Sequence, residues 1–420
     1  MPDFRGYTFK VPALHSIFLF LVLFLACIIP LVAQDPELDE PELNSRAAVL
    51  LDAATGTVLY AKNANDEISP ASLAKLMTIH VALNEVNDGK ASLEDVVPLP
   101  RETWAVSQPP RSSLMFLAPG QIVTLKELLL GLAIPSGNDA AVAVALYFNP
   151  TVGEFVERMN REARGLGLAR TRFVEPSGIS EDNLTTALEF ALFCKEYLTR
   201  HPETLADYHS VREFAYPKAE NVRAAYRSRP GTIRQYNHNT FLENFEGTDG
   251  LKTGYIDEAG YNIAITTERN GTRFIMVILG APAVYGGDRI RDQDGMRLLA
   301  WAFEHFKTLR PVLGDLPAVP IWKGKENYAE ILPSKGLEFT TFTDRATGPM
   351  ESLRWEIELL DPIIAPLPQG SSVGDLVLYD EVGELRRMPL ITAWDLEPGG
   401  FFKRLWDSIR LFFRDLFKKA

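Results

Sequence analysis

Apolar residues recur every three or four positions in several stretches of the chain, a pattern typical of helices with one buried face. Elsewhere they alternate, or run together over four to six positions between turn residues, which indicates strands. Strand patterns at both ends of one long segment, with helical patterns between them, predict an α+β domain whose first and last strands share a sheet. The predicted helices cover 76–83, 125–133, 139–146, 152–168, 187–199 and 288–309, and the predicted strands 47–51, 57–60, 250–255, 262–267 and 274–279.

The pattern changes after Leu309, so we predict a first domain over residues 35–309 and a second over 310–397. Short β-like runs separated by Pro, Gly and Asp fill the second segment, which is typical of a small all-β domain, here expected to be a β-sandwich. No constellation of reactive side chains stands out in it. We therefore interpret this domain as a spacer or docking module.

Residues 398–420 carry a nearly unbroken helical stripe of apolar side chains, five of them Phe and one Trp between residues 401 and 417, opposite a basic face. Such an amphipathic, aromatic-rich and basic helix is predicted to lie in a membrane interface, because it is too charged to span a bilayer. The alternative is a helix that docks on the β domain. Either partner would cover an apolar stripe that otherwise invites aggregation.

The first residues form a targeting pattern. Arg5 and Lys10 precede an apolar run over 17–29, which is followed by Ala33 and then by acidic residues. This order predicts a secretory signal peptide over residues 1–34 and hence an exported protein. An uncleaved membrane anchor is the alternative.

Composition excludes several classes of function. The net charge of −12 over 420 residues offers no basic field for nucleic acid. Only Cys27 and Cys194 are present, so neither a disulfide framework nor a cysteine-based metal site is expected. The six histidines form no His-x-x-x-His pair, and we expect neither metal nor cofactor.

Ser72 and Lys75 are three residues apart at the start of a predicted buried helix. Positions i and i+3 share a helix face, so the spacing brings a hydroxyl next to an amine. A serine becomes a good nucleophile when a neighbouring base takes its proton, and a desolvated lysine can be that base. The pair alone is a weak signal.

Two further motifs follow in order: Ser136-Gly137-Asn138 in a turn, and Lys252-Thr253-Gly254 on a predicted strand. Ser-x-x-Lys, a serine- and asparagine-containing turn, and Lys-Thr-Gly together are the set found in penicillin-binding proteins and class A β-lactamases. The sequence resembles the low-molecular-weight penicillin-binding proteins, which are serine-type D-alanyl-D-alanine carboxypeptidases. The resemblance covers nearly the whole chain and implies a β-lactamase/transpeptidase-like domain followed by a β domain and an amphipathic tail.

The resemblance implies three catalytic residues. Ser72 would form an acyl-enzyme, Lys75 would take its proton as a neutral amine, and Ser136 would pass a proton to the leaving amine. Burial and the nearby cation of Lys252 are both expected to favour the neutral Lys75 amine.

It also implies the groups that bind the substrate. Asn138 would hold a substrate amide and orient the lysine, and Lys252 and Thr253 would bind the terminal carboxylate. Gly254 would let the substrate backbone pass close to the strand. The backbone N–H of Tyr255, with that of the reactive serine, would form the oxyanion hole.

Three positions bear on the choice between carboxypeptidase and β-lactamase. Gly137 stands where class A β-lactamases usually have aspartate, which favours the carboxypeptidases. Glu181 only faintly resembles the β-lactamase glutamate, and the segment 173–178 is interpreted as the carboxypeptidase counterpart. Tyr255 stands where many relatives carry histidine.

The expected function is removal of the terminal D-alanine from peptidoglycan stem peptides outside the cytoplasmic membrane. The expected partners are those peptides, β-lactam antibiotics as covalent inhibitors, and the membrane surface through the tail helix. A D,D-endopeptidase or a β-lactamase on the same fold is an enzymatic alternative. A non-catalytic wall-binding scaffold is the alternative of another class.

Overall fold

The computed structural model describes residues 38–226, 231–348 and 350–418. The predicted signal peptide, residues 1–34, lies outside these ranges. The described chain divides into two units, one running from Asp39 to Glu304 and the other holding His305 and the residues that follow.

The first unit is built on a five-stranded antiparallel sheet in the order β2-β1-β9-β8-β7. Because β1 pairs with β9, the sheet joins the two ends of the unit, as the sequence pattern predicts. The strands are β1 (Ala47–Asp52), β2 (Val58–Lys62), β7 (Thr248–Ile256), β8 (Gly260–Arg269) and β9 (Thr272–Ala281), with small ladders of β3 (Val96–Val97) with β4 (Val123–Thr124) and β5 (Glu213–Tyr216) with β6 (Ile233–Tyr236).

Helices lie between the two groups of strands, and α5 packs on β1 and β9. Thr124 begins α2 with a reciprocal cap: its hydroxyl accepts from the Glu127 amide at 3.2 Å, and the Glu127 carboxylate accepts from the Thr124 amide at 2.9 Å. The α+β class is confirmed. The helices are α1 (Lys75–Asn87), α2 (Leu125–Ala133), α3 (Asn138–Phe148), α4 (Val152–Gly165), α5 (Ala187–Arg200), α6 (Phe241–Asn244) and α7 (Gly287–His305).

The last predicted helix of the first domain ends earlier than expected. It stops at His305, and residues 306–309 form strand β10 (Phe306–Leu309), which pairs with β14 (Phe339–Phe342) in the second unit. The helical spacing of apolar residues ends at Phe303, and beyond it the chain gains a strand partner and a ring contact between Phe306 and Phe342. The domain boundary predicted after residue 309 thus falls at the end of this strand, whereas the second unit already begins at His305.

The second unit is an all-β domain followed by a helix. A four-stranded antiparallel sheet in the order β13-β17-β16-β15 covers an aliphatic core, and two smaller ladders join β10 to β14 and β11 to β12. The predicted small β domain and C-terminal helix are confirmed. The elements are β11 (Val319–Pro320), β12 (Tyr328–Ala329), β13 (Ile331–Pro333), β15 (Arg354–Leu359), β16 (Ser372–Tyr379), β17 (Glu384–Thr392) and α8 (Phe401–Lys418).

Candidate active site

Ser72 lies in a short 3₁₀ turn, Ala71–Ala74, and α1 begins immediately afterwards at Lys75. The Lys75 ammonium or amine nitrogen, Nζ, lies 3.0 Å from the Ser72 Oγ. The lysine side chain is fully buried. Ser72 lines a cleft of about 330 Å³, whose walls include Asn138, Gly178 and Tyr255. The predicted serine–lysine pair is therefore a bonded pair at the base of an open cleft.

Two carbonyl oxygens complete the surroundings of the Lys75 nitrogen. Asn138 Oδ1 lies 2.8 Å from it, and the backbone carbonyl oxygen of Ser177 lies 2.5 Å from it. Carbonyl oxygens only accept hydrogen bonds, and a neutral amine has two N–H groups and one lone pair. The two carbonyls take both N–H groups, so the lone pair of the neutral amine is directed at the Ser72 hydroxyl.

Burial lowers the pKa of Lys75 to about 7, while the carboxylates of Glu175 and Asp139 act in the opposite direction. Lys252 is also buried, and its pKa is lowered well below the usual value, first by burial and then by the charges of Lys75 and Arg291. The charge of Lys75 thus disfavours the charged form of Lys252, whereas burial, and not Lys252, lowers the pKa of Lys75.

The loop that supplies the Ser177 carbonyl is organised by one carboxylate. Glu175 accepts hydrogen bonds from the backbone and hydroxyl of Ser177, from the amides of Gly178 and Ser180, and from the Asn183 side chain. These bonds fix the direction of the loop backbone at residue 177. Sequence reasoning singled out this segment but missed that its carbonyl binds the lysine, because a backbone acceptor leaves no mark on residue type.

The N-terminus of α3 connects the lysine to the rim of the cleft. The Asn138 amide donates to the Ser113 carbonyl at 2.8 Å. The next side chain, the buried Asp139 carboxylate, accepts from the amides of Met115 at 2.8 Å and Leu117 at 2.9 Å. These three bonds hold the segment 113–117 against the residue that binds Lys75. Asp139 is a site residue that sequence reasoning did not name.

Ser136 precedes this helix in a left-handed backbone conformation with φ of 61°. The residue is almost completely buried, and within the described ranges its Oγ has no hydrogen-bond partner. An unpartnered buried hydroxyl costs free energy unless a ligand or water satisfies it. This hydroxyl is available to bond with a reacting group.

The Lys-Thr-Gly motif lies on β7, at the edge of the five-stranded sheet. Lys252 Nζ donates to the Thr253 carbonyl at 2.9 Å, and both residues are more than nine-tenths buried. A Cβ added to Gly254 would lie 3.0 Å from the Ser72 amide nitrogen, so the strand packs directly on the serine turn. Tyr255 is 40% exposed on the cleft wall, and its hydroxyl donates to Asp257 at 2.6 Å.

The serine turn is held on its other sides as well. The Asn262 side chain donates to the Ser69 carbonyl at 2.8 Å and accepts from the Gly280 amide at 2.8 Å, which ties the turn to β8 and β9. Gly178 contacts the turn from the loop side, because a Cβ added there would lie 1.9 Å from the Ala71 carbonyl oxygen. The structure thus places Ser72 in the 3₁₀ turn, Lys75 on α1 and Asn138 on α3 in hydrogen-bonding contact, with Gly254 of β7 packed on the same turn. Ser136 precedes α3, and Lys252, Thr253 and Tyr255 lie beside Gly254 on β7.

The glutamate that lies beside the serine–lysine pair is not the one that the β-lactamase alternative would use. Glu181 is exposed, whereas Glu175 is the carboxylate that builds the loop beside Lys75. Within the described residues, no group of three or more His, Cys, Asp or Glu side chains is arranged to hold a metal ion.

This chain is similar in sequence to known proteins over most of its length. Residues 34–283 match the D-alanyl-D-alanine carboxypeptidase family. The chain is 33% identical over 392 residues to the D-alanyl-D-alanine carboxypeptidase DacC of Escherichia coli, with 92% of each covered. It is 31% identical over 360 residues to DacF of Bacillus subtilis, with 85% of this chain and 87% of DacF covered.

Solved structures give the same result. Penicillin binding protein 5 of Haemophilus influenzae superposes with a TM-score of 0.72 at 27% identity, over 85% of this chain and 98% of that one. A penicillin-binding protein of Listeria monocytogenes in a cefotaxime-bound form superposes with a TM-score of 0.53 at 27% identity, over 63% and 99%. A D-alanyl-D-alanine endopeptidase of Pseudomonas aeruginosa is 30% identical over 265 residues, covering 62% of this chain and 78% of that protein.

The fold and the bonded serine–lysine pair define a serine hydrolase of the penicillin-binding class. The chain belongs to the D-alanyl-D-alanine carboxypeptidase family. It is a serine-type D-alanyl-D-alanine carboxypeptidase, and the predicted fold, enzyme class and reaction are confirmed.

The contact of Gly178 with the serine turn predicts a sharp effect of one methyl group. In Gly178→Ala, the Cβ must displace the Ala71 carbonyl and with it the neighbouring Ser72. A displacement on the scale of 1 Å reduces rates about 100-fold, so we expect D-alanine release to fall by at least that factor.

Gly167→Ala is the matched control, because Gly167 has the same left-handed φ, +77° against +81°, but nothing within 4 Å of an added Cβ. It should cost only backbone strain, about 1 kcal/mol of unfolding free energy, and retain activity. Measured rates of D-alanine release and thermal unfolding of both variants separate the effect of the contact from that of backbone strain. An active Gly178→Ala, or an equally inactive Gly167→Ala, would contradict the contact as the cause.

Proposed function

We propose that this carboxypeptidase removes the last D-alanine of peptidoglycan stem peptides through an acyl-enzyme on Ser72, with Lys75 as the general base. The observation that carries the proposal is the pair of carbonyl oxygens, from Asn138 and Ser177, that occupy both N–H groups of the neutral Lys75 amine. A pKa of about 7 makes that neutral form abundant near neutral pH.

The reaction proceeds in two steps. Ser72 Oγ attacks the carbonyl carbon of the amide between the terminal D-alanines, and Lys75 accepts the hydroxyl proton. The backbone N–H groups of Ser72 and Tyr255 stabilise the oxyanion. As the C–N bond breaks, the proton passes through the Ser136 hydroxyl to the leaving amine, which departs as D-alanine. Water then hydrolyses the ester and restores Ser72.

The unpartnered Ser136 hydroxyl supports this proton path, since a buried donor and acceptor without a partner suits a transient bond to the substrate. Lys252 and Thr253 bind the terminal carboxylate of the substrate. The lowered pKa of Lys252 is consistent with this role, because the carboxylate of the substrate compensates the buried positive charge. Asn138 binds a peptide amide of the substrate through its side chain.

The edge position of β7 supports an extended binding mode. An edge strand has unpaired backbone groups to which a peptide can add as a further strand. The absence of a side chain at Gly254 lets that strand lie against the serine turn.

β-Lactam antibiotics are proposed to acylate the same serine. The Listeria monocytogenes relative was solved in a cefotaxime-bound form, which supports binding of this compound class by the present chain. We also propose that the protein acts outside the cytoplasm, since peptidoglycan is an extracytoplasmic polymer and the first 34 residues have the pattern of a signal peptide.

A D,D-endopeptidase activity is the second candidate, favoured by the similarity to the Pseudomonas aeruginosa endopeptidase. That similarity covers less of the chain than the similarity to the carboxypeptidases. A non-catalytic scaffold has no use for a buried lysine held at the serine.

Attachment to a membrane through α8 is proposed on the character of its exposed face. No helix in the described ranges has both the length and the apolar character needed to cross a bilayer. A helix with exposed aromatic residues along one side suits the interface instead. The exposed apolar side chains of α8 are Phe401, Phe402, Leu405, Trp406, Ile409, Phe412, Phe413, Leu416 and Phe417.

Ser72→Ala tests the acyl-enzyme. The variant lacks the nucleophile, so we expect D-alanine release from a pentapeptide muropeptide to fall at least about 1,000-fold, and labelling by a fluorescent penicillin to disappear. Mass spectrometry of the products separates loss of D-alanine from cleavage of a cross-linked dimer. Release at the wild-type rate by this variant would refute the mechanism, and cleavage of the dimer alone by the wild type would favour the endopeptidase.

Trp406→Glu combined with Phe413→Glu tests the membrane face. Both side chains are more than half exposed, and burying each aromatic residue in the interface contributes about 2 kcal/mol. Affinity for phospholipid vesicles should therefore fall at least about 100-fold in a co-sedimentation assay on the chain without residues 1–34. Ser408→Glu, which adds a charge outside the apolar face, should bind within a small factor of wild type. Undiminished sedimentation of the double variant would exclude this face.

A further inference from the structure

The polar face of α8 docks on the β domain. Asp407 and Leu411 are more than nine-tenths buried, and they lie one helical turn apart. The Asp407 carboxylate accepts a hydrogen bond from the Lys323 amide at 2.8 Å and pairs with Lys403 of its own helix at 3.3 Å. At about 100° per residue, this stripe lies opposite the exposed aromatic face. The helix thus presents its apolar side away from the domain that holds it.

Two arginines of the same stripe are bound to the domain as well. The guanidinium carbons of Arg410 and Arg414 each lie 5.3 Å from the ring centre of Trp322, within the range of a cation–π contact. Arg414 also pairs with Asp361 at 2.6 Å. These two cations of the predicted basic face therefore have protein partners.

The segment before the helix is fitted to the domain by backbone contact. The Gly399 amide donates to the Lys323 carbonyl at 2.8 Å, and an added Cβ on Gly399 would lie 2.7 Å from the Gly324 carbonyl oxygen. The Lys325 amide donates to the Glu397 carbonyl at 2.8 Å. The backbone of Lys323 therefore bonds both to the segment that precedes α8 and to the helix itself. Such contacts describe a fixed junction rather than a flexible tether.

We propose that α8 enters the lipid interface while it remains docked on the β domain. This inference rests on the proposed membrane attachment and specifies its geometry. The apolar face then supplies most of the binding free energy, and the docked Arg414, paired with Asp361, contributes little to recognition of anionic lipid headgroups. The contacts of Asp407 and Trp322 then hold the β domain at the membrane surface.

Hydrogen exchange of the segment 321–326 tests the docked state directly. Exchange is compared between two states of the chain that lacks residues 1–34: free in solution, and bound to vesicles of phosphatidylethanolamine and phosphatidylglycerol. Because the Lys323 amide bonds to Asp407, we expect slow exchange at this amide in both states. In Asp407→Ala, the Lys323 amide should exchange fast in both states. In Ser408→Ala it should exchange as in the wild type, because the Ser408 hydroxyl bonds only within the helix.

Loss of protection on vesicles would overturn the proposal, since the helix would then leave the domain to bind lipid. Unchanged exchange in Asp407→Ala would also overturn it, because the contact would not form in solution. Failure of the wild type to bind vesicles would refute membrane attachment itself while docking in the free chain remained measurable. Concentration-dependent dimerisation with no vesicle binding would assign the apolar face to a second copy and would equally contradict the proposal.

Replacing single arginines of α8 and measuring the affinity for vesicles gives an independent test. A lysine or arginine free to approach an anionic surface contributes about 1 kcal/mol, or about fivefold in affinity. Arg404→Gln, at an exposed position, should therefore lower the affinity for anionic vesicles about fivefold, whereas Arg414→Gln, at the arginine paired with Asp361, should change it less than about twofold. Equal losses in the two variants would show that the docked arginine is available to lipid.

Discussion

The structure depends on one buried amine. Removing a lysine side chain from water is costly unless the amine is neutral and its hydrogen-bonding groups are satisfied. Lys75 meets both conditions, because Asn138 and the Ser177 carbonyl accept its N–H groups while burial lowers its pKa to about 7. Each partner comes from a different part of the chain, so the amine can be satisfied only when the helix, the turn and the loop are assembled.

Backbone segments from the edge strand and from the loop pack closely against the turn that holds Ser72. Gly254 on the edge strand and Gly178 on the loop contact the serine turn from two sides, and any larger residue at either position would meet backbone atoms. Asn262 links the same turn to the sheet through its amide group. Ser72 is therefore positioned by close backbone contacts, and the proposed chemistry depends on the buried lysine beside it.

Much of this was predictable from sequence. The helical spacing of apolar residues and the strand patterns at both ends of the first segment predicted the α+β fold. The order of the three motifs predicted the site, and the structure places Lys75, Asn138 and Gly254 in contact with Ser72 or with each other. The end of α7 at His305 was not predictable, because only a distant strand, β14, converts the next four residues into a strand. The Ser177 carbonyl and the docking of α8 by its polar face also escaped, since both depend on long-range contacts.

The pKa of Lys75 is the most direct test of the account. It can be followed by NMR in the intact chain labelled with ¹³C at the lysine ε-carbons, with Lys75→Met to assign the resonance. The account predicts titration near pH 7, so that the amine is neutral above this pH and the acylation rate by penicillin rises through the same range. Titration near 10.5, the usual lysine value, would contradict the claim that Lys75 is the base.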